Sequence, residues 1–227
     1  MDHEAYYDAT VILACRMIDR GIDTQQIFRI IDEGLLMGQS DQFNTLQFIC
    51  IKLNEKCGDS ELAPMAIPRD LFDKTEHHET TIKQLAQPPT LLEWLELRKC
   101  GEPVLIKNAV NEWPALDKWD FDYFRRLLRY RTMPIEIGEK YTDAKWGQQL
   151  QSFDHFLDNV LKGASTHYLA QHPLLEQIPQ LENDIIVPGQ FCFIISNIVV
   201  KFILTLHLER LPFVITKRVP FVVFFSF

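Results

Sequence analysis

Histidine and carboxylate side chains are the residues of this sequence best suited to chemistry, and one pair has the spacing of metal ligands. His207-Leu208-Glu209 is a His-x-Glu pair, and a β-strand would place both side chains on one face. Facial-triad iron sites combine a carboxylate with two histidines. No histidine follows His207 in this sequence, so the pair is interpreted as a coincidence rather than a metal site.

The remaining histidines are no better placed to bind a metal. All seven lie at positions 3, 77, 78, 155, 167, 172 and 207. His155 and Asp158 are about one helical turn apart, which favours a surface pair or a helix cap. The adjacent His77 and His78 point in different directions on any regular element, and no third ligand lies nearby. The sequence therefore predicts no metal ligand and no catalytic residue.

Charge and cysteine content exclude several classes of protein. The formal net charge of -8 argues against a broad basic face, so direct binding of nucleic acid is not expected. Five cysteines without any CxxC pair indicate neither a disulfide framework nor a zinc site. The acidic N-terminus lacks the basic start and short apolar core of a secretory signal. These features predict an intracellular protein in a reducing compartment.

The first part of the chain has the pattern of three amphipathic helices. Apolar residues recur at helical spacing in three runs: Val11, Ala14, Cys15 and Ile18; Ile27, Ile30, Ile31 and Leu35; Leu46, Ile49, Cys50 and Leu53. Glycines that follow these runs fit left-handed C-terminal caps: Gly21, Gly38 and Gly58. Thr24 and Asp41 are the predicted N-caps. An all-helical module over residues 1–60 is expected.

Residues 61–88 are predicted to be a linker, because Pro64 and Pro68 stand among mixed charges. Beyond the linker, strands and helices are expected to alternate. Thr90-Leu91-Leu92-Glu93 fits a capping box at the start of a helix that runs to about Cys100. Further strands are predicted at residues 103–106, 135–137 and 184–187, and further helices around residues 121–128 and 153–160.

Two segments of the sequence carry a resemblance to a known family. The first contains Glu102-Pro103-Val104-Leu105-Ile106, then Trp113-Pro114-Ala115-Leu116 and Trp119. The second contains Tyr168-Leu169-Ala170-Gln171-His172, then Gln177-Ile178-Pro179, Leu181, Asp184-Ile185 and Pro188. Over residues 90–188 the chain resembles Jumonji-C (JmjC) and cupin-like proteins. The two tryptophans are interpreted as core anchors, since large aromatic side chains mostly serve packing.

The resemblance implies an α+β fold in which the helical module precedes the first part of a double-stranded β-helix. It implies an enzyme that uses Fe(II) as its cofactor and 2-oxoglutarate and O₂ as co-substrates. The implied reaction is hydroxylation of a protein side chain. Members of the family have been assigned arginyl hydroxylation, histone lysine demethylation and peptidase activity. The resemblance alone therefore does not select one reaction.

The same resemblance implies where the cofactors of a complete relative would bind. The tyrosine that opens the Tyr-Leu-Ala-Gln-His run hydrogen-bonds the 2-oxoglutarate carboxylate, and here that residue is Tyr168. An ordinary half-buried strand tyrosine is the alternative. The His-x-Asp/Glu pair and the later histidine would follow the segment that ends at Pro188, where this chain has only His207. The chain is expected to lack the iron ligands and to be inactive as an oxygenase.

Composition changes abruptly after Pro188. Residues 189–227 carry a net charge of +3 and eight of the 16 phenylalanines, which leaves -11 on the preceding residues. Three explanations remain open: a hydrophobic membrane anchor, β-strands that replace lost barrel strands, and an alternative or misannotated end. Lys201 opposes the first, because a lysine at mid-membrane costs about 2.5 to 3.5 kcal/mol. Membrane association is not expected, and poor solubility is, since a broken barrel exposes strand edges.

Two hypotheses about function follow. The first is a truncated JmjC-type hydroxylase or demethylase, nuclear or cytoplasmic, with a protein substrate and no activity of its own. The second is a non-catalytic protein-interaction module carried by the helices of residues 1–60. An enzyme must consume 2-oxoglutarate, whereas an interaction module must retain its protein partner.

Overall fold

The computed structural model describes residues 3–37, 43–57, 62, 83–100, 104–138, 144, 146–162, 167–169, 172–186 and 221–224. These residues form both helices and small sheets, as expected for an α+β protein. The elements before residue 130 are α1 (His3–Asp19), α2 (Thr24–Leu36), α3 (Phe43–Cys57), β1 (Lys83–Leu85), α4 (Leu91–Cys100), β2 (Val104–Lys107), α5 (Ala115–Lys118) and α6 (Phe121–Leu128). The later elements are β3 (Thr132–Ile137), β4 (Gly147–Ser152), α7 (Phe153–Leu161), β5 (His167–Tyr168), α8 (Leu174–Gln177), a 3-10 helix (Pro179–Asp184) and β6 (Phe221–Phe224).

The three N-terminal helices form as predicted and share one apolar core. Its buried residues are Tyr7, Ala14, Ile27, Phe28, Ile31, Leu35, Leu46, Cys50 and Leu53. Gly21 has a φ of 65°, which confirms its left-handed conformation after α1. The predicted cap of α2 was wrong by one residue: Asp23, not Thr24, accepts the hydrogen bond from the Gln26 amide. Gly38, Asp41 and Gly58 lie outside the described residues.

The capping box at α4 is confirmed. Thr90 Oγ1 accepts from the Glu93 amide at 3.4 Å, and the Glu93 carboxylate accepts from the Thr90 amide at 2.8 Å. The Thr90 amide, and after it the Thr90 hydroxyl, donate to the Glu93 carboxylate and lower the pKa of Glu93. Local sequence therefore fixes where this helix begins.

The first sheet has three strands in the order β1-β2-β6, with β2 in the middle. Strand β1 runs parallel to β2 and lies within the range predicted as linker. Strand β6 runs antiparallel to β2, with Val104 opposite Phe224 and Lys107 opposite Phe221. This pairing places part of the C-terminal tail against the opening segment of the oxygenase-like region.

A second sheet has the order β4-β3-β5 and is antiparallel throughout. It packs in the largest apolar core with α6, α7 and the segment around Trp113 and Trp119. Both tryptophans are 6% exposed, which confirms them as core residues. Phe124 of α6 contacts both α7 and the segment before α6. Its ring centroid lies 5.4 Å from that of Trp119 and 6.5 Å from that of Phe153, the first residue of α7.

The predicted strand over residues 184–187 was wrong. Asp184 ends the 3-10 helix, and its carboxylate is buried among three donors rather than alternating along a strand. Lys118 Nζ lies 2.7 Å from it, Trp119 Nε1 3.1 Å and the Tyr123 hydroxyl 2.5 Å. The apolar run Ile185-Ile186 imitates a strand in sequence, and Ile185 is extended with φ -121° and ψ 130°, but neither residue belongs to a sheet.

Candidate functional site

Tyr168, the predicted cofactor residue, lies on β5 at the edge of the second sheet. The two-residue strand β5 pairs with β3 so that Tyr168 is opposite Glu136 and His167 is opposite Ile137. Directly opposed residues of an antiparallel pair share one face of the sheet. Tyr168 and Glu136 therefore face the same side, and Tyr168 is half-buried.

Trp146 completes a three-residue cluster on that face. Its indole Nε1 lies 3.0 Å from the Tyr168 hydroxyl and 3.2 Å from Glu136 Oε2. One N–H thus points between a phenol oxygen and a carboxylate oxygen. The Trp146 side chain itself is 36% exposed, so the cluster opens to solvent on one side.

Gly138 permits the close approach of Trp146. Its φ is 143°, a conformation that residues with side chains rarely adopt. A Cβ at this position would lie 3.1 Å from the Trp146 Cα. The turn that follows β3 therefore requires glycine where the backbone of Trp146 passes over it.

Glu136 is the unusual member of the cluster. It is 8% exposed, and among the described residues no cation is paired with its carboxylate. Trp146 supplies the hydrogen bond that the structure records for that carboxylate. A buried carboxylate without a cation is costly unless a ligand supplies the charge. Among the described residues, the Glu136 carboxylate is the buried acceptor of this cluster with which a positively charged group would pair.

Sequence reasoning found Tyr168 but missed Glu136 and Trp146. The alternation Ile135-Glu136-Ile137 indicates a strand, yet it suggests a solvent-facing glutamate rather than a buried one. Nothing local joins Trp146 to Tyr168, because 22 residues separate them and the sheet brings them together. An acidic residue inside an apolar strand was the one signal available.

Among the described residues, the histidine candidates do not assemble into a metal site. His155 is exposed on α7, and Asp158 lies 3.9 Å from Lys162 of the same helix. His172 Nε2 lies 2.5 Å from Gln177 Oε1, which uses that ring nitrogen in a hydrogen bond. Within the residues the structure describes, no group of three histidine, cysteine or acidic side chains could hold a metal ion. His77, His78, His207 and Glu209 lie outside those residues.

No helix among the described segments is long and apolar enough to span a membrane. The part of the tail that contains Lys201, residues 189–220, lies outside the described residues.

Comparison with curated proteins identifies relatives that cover most of the chain. Lysine-specific demethylase 8 of Danio rerio is 32% identical over 186 residues, which are 74% of this chain and 45% of the relative. Jumonji C domain-containing protein 5 of Drosophila melanogaster is 34% identical over 174 residues, or 73% of this chain and 43% of the relative. The chain belongs to the JmjC family. The resemblance read from the Tyr168–His172 segment is thereby confirmed.

More distant JmjC relatives carry other activities in their names. The human bifunctional peptidase and (3S)-lysyl hydroxylase JMJD7 is 29% identical over 123 residues, which are 46% of this chain and 37% of the relative. The chain spans less than half the length of each of these three JmjC proteins. No protein-family model matches the chain.

Proposed function

We propose that this chain carries the N-terminal part of a JmjC protein hydroxylase. In this proposal a helical module (1–60) and a linker (61–88) precede the first part of a double-stranded β-helix (89–188) and a hydrophobic tail outside the family (189–227). The main support is the cluster of Tyr168, Glu136 and Trp146 on one face of the second sheet. That cluster lies where the family resemblance expects a ligand.

Tyr168 is the residue proposed to face 2-oxoglutarate. The equivalent tyrosine of complete relatives hydrogen-bonds the carboxylate of that co-substrate. Here the Trp146 N–H occupies one lone pair of the phenol oxygen at 3.0 Å. This bond restricts the directions in which the hydroxyl can donate, and so helps to orient it toward a ligand oxygen.

The described residues do not fit an iron site. In complete members, Fe(II) with 2-oxoglutarate and O₂ supplies the oxidising chemistry, and it requires three protein ligands. The described residues contain no such group of three. One tyrosine also provides too few donors for a dianion. Because no histidine follows His207 in the sequence, we propose that these 227 residues alone do not hydroxylate a substrate.

Glu136 supports a protein substrate that carries a positive charge. Its carboxylate is buried beside the Trp146 indole, and a lysine or arginine side chain would supply the missing cation. An aromatic ring beside the carboxylate adds attraction for a cation. The cluster does not distinguish lysine from arginine, because a single carboxylate accepts from either.

A turnover assay tests the catalytic part of the proposal. The purified chain would be incubated with Fe(II), ascorbate and 2-oxoglutarate, and succinate would be measured by NMR. We expect no succinate above the enzyme-free blank, whereas a complete JmjC hydroxylase assayed in parallel should produce it. Succinate formation that is lost in Tyr168→Phe would refute the proposed inactivity and would support the role of Tyr168.

A binding titration tests the proposed cationic subsite. Blocked arginine and blocked lysine would be titrated into the chain, with blocked norleucine as the uncharged control. We expect the two cations, but not norleucine, to quench tryptophan fluorescence, and Glu136→Gln to abolish the effect. Asp158→Asn is the matched control, because it removes a carboxylate on the outer part of α7. Equal quenching in wild type and Glu136→Gln would rule out this subsite.

A second candidate function is a non-catalytic protein-interaction module. Large apolar side chains are exposed on the N-terminal helices: Ile12 is 54% exposed, Leu13 45% and Phe48 59%. If these residues bind a protein, Phe48→Ser should weaken that association without lowering thermal stability. Retained association in Phe48→Ser and Ile12→Ser would argue against this function.

Nuclear or cytoplasmic placement is proposed from the family resemblance. Imaging of the tagged chain in cells tests it. Signal confined to membranes that disappears when residues 189–227 are deleted would contradict this placement.

A further inference from the structure

A buried polar network joins the N-terminal helices to the oxygenase-like segment. Asp32 of α2 is fully buried, and Arg131, which precedes β3, is 1% exposed. Arg131 NH2 lies 2.6 Å from Asp32 Oδ1, and Arg131 Nε lies 2.9 Å from the same oxygen. Although burial disfavours the charged guanidinium, the adjacent Asp32 raises the pKa of Arg131. The guanidinium therefore keeps its charge in a position that water does not reach.

Asp32 also holds the beginning of β3. Its Oδ2 accepts a hydrogen bond of 2.6 Å from the Thr132 backbone N–H. The carbonyl of Arg131 accepts from the Phe153 amide at 2.9 Å, where β4 ends and α7 begins. One aspartate of the helical segment therefore fixes the first residue of β3, Thr132. Glu136 lies four residues further along this strand, about 13 Å away at the usual rise per residue.

Gln177 extends the network toward the segment that follows β5. Its side-chain amide donates to Asp32 Oδ1 at 2.8 Å and to the Thr132 carbonyl at 2.9 Å. Because both amide hydrogens are used, Gln177 Oε1 is the atom that faces His172 Nε2 at 2.5 Å. His172 must then donate from Nε2. It lies four residues beyond Tyr168, and the intervening Leu169 is buried in the main core.

Other contacts at this junction strengthen the docking of the helices. The rings of Phe28 and Tyr130 stack with centroids 6.0 Å apart, and Asn54 Nδ2 donates to the Leu127 carbonyl at 3.2 Å. Cys50 lies beside the ion pair, and burial raises the pKa of its thiol to about 12, so the thiol stays neutral. Cys50 therefore adds no charge to the polar network.

We propose that Asp32 is a positioning residue for the Glu136–Trp146–Tyr168 cluster. It acts through Thr132 on the strand that carries Glu136, and through Gln177 and His172 on the segment that follows Tyr168. The N-terminal helices are then a fixed part of the oxygenase-like unit rather than a separable module. This inference concerns the geometry of the cluster and stands whether or not the cluster binds the ligands proposed above.

Fluorine NMR of the full chain labelled with 5-fluorotryptophan tests the inference. The chain has four tryptophans, and Trp146→Phe identifies the resonance of Trp146. Asp32→Asn keeps the side-chain shape but removes the charge and one acceptor. We expect it to move the Trp146 resonance by more than its linewidth under conditions where the chain stays folded.

Ile27→Ala is the matched control, because Ile27 is a buried apolar residue of the same helix whose side chain makes no hydrogen bond. It should lower thermal stability and leave the Trp146 resonance in place. Equal displacement in both variants, or none in Asp32→Asn, would overturn the proposal. If Asp32→Asn does not fold, Gln177→Met decides the question: it preserves the ion pair but removes the amide link, and an unmoved Trp146 resonance would again overturn it.

Discussion

At the scale of single residues, a buried polar side chain can fix a position that apolar packing alone does not specify. Asp184 shows this directly, since one carboxylate gathers Lys118, Trp119 and Tyr123 and ends the 3-10 helix. Although burial opposes its charge, the hydrogen bonds from Lys118, Tyr123 and Trp119 lower the pKa of Asp184 overall. The same contact and burial raise the pKa of Tyr123, which therefore keeps its proton.

Replacing Asp184 with asparagine should change both stability and its pH dependence. A lowered pKa means that Asp184 stabilises the fold above its unfolded-state pKa of about 3.9, and that this stabilisation is lost as the pH falls through the folded-state value. Asp184→Asn should lower the free energy of unfolding by about 2 kcal/mol at neutral pH, from weaker hydrogen bonds. Urea unfolding at neutral and acidic pH measures this.

Asp8→Asn provides the control, since Asp8 is exposed on α1. It should leave the free energy of unfolding nearly unchanged at both pH values. If Asp184→Asn shows the same loss between neutral and acidic pH as wild type, the depressed pKa does not contribute to stability.

At the scale of elements, the sequence predicted the elements that nearby residues determine. It failed where an element depends on residues that are distant in the chain. Thr90 and Glu93 define the start of α4 within four residues, so the capping box could be read directly. The strand predicted over 184–187 failed because the partners of Asp184 lie more than 60 residues earlier.

Thr90→Ala should destabilise α4. Loss of an N-cap oxygen leaves a helix amide unsatisfied and costs about 1 kcal/mol. Thr90→Ser keeps that oxygen and should change the free energy of unfolding by only about a few tenths of a kcal/mol. Chemical denaturation of the three chains measures the difference, and equal stability of the alanine and serine variants would show that the cap is unimportant.

Gly138→Ala should disturb the turn that carries Trp146. The φ of 143° and the close approach of Trp146 Cα both oppose a side chain, and strain of this kind costs about 1 to 3 kcal/mol. Gly147→Ala is a neighbouring control, because nothing lies within 4 Å of its added Cβ. Fluorine NMR of Trp146 and thermal unfolding should change in the first variant and not in the second. Similar behaviour of the two would contradict the required glycine turn.

At the scale of the whole molecule, the candidate site and the docking of the helices depend on contacts that sequence patterns do not encode. Tyr168 could be named because a family motif surrounds it, whereas Glu136 and Trp146 join it only through the sheet. Asp32 and Arg131 are 99 residues apart, and each by itself reads as an ordinary surface charge. Family membership is clear from the JmjC relatives, but the ability to bind iron is a separate property of this chain.

Titration of the chain with Mn(II), followed by electron paramagnetic resonance, tests whether the chain holds an iron site, because Mn(II) occupies iron sites of this ligand type without redox chemistry. We expect the signal of hydrated Mn(II) to keep its full intensity in the presence of 2-oxoglutarate, in wild type and in His207→Ala alike. Stoichiometric loss of that signal in wild type, restored in His207→Ala, would show instead that this chain forms a metal site of its own.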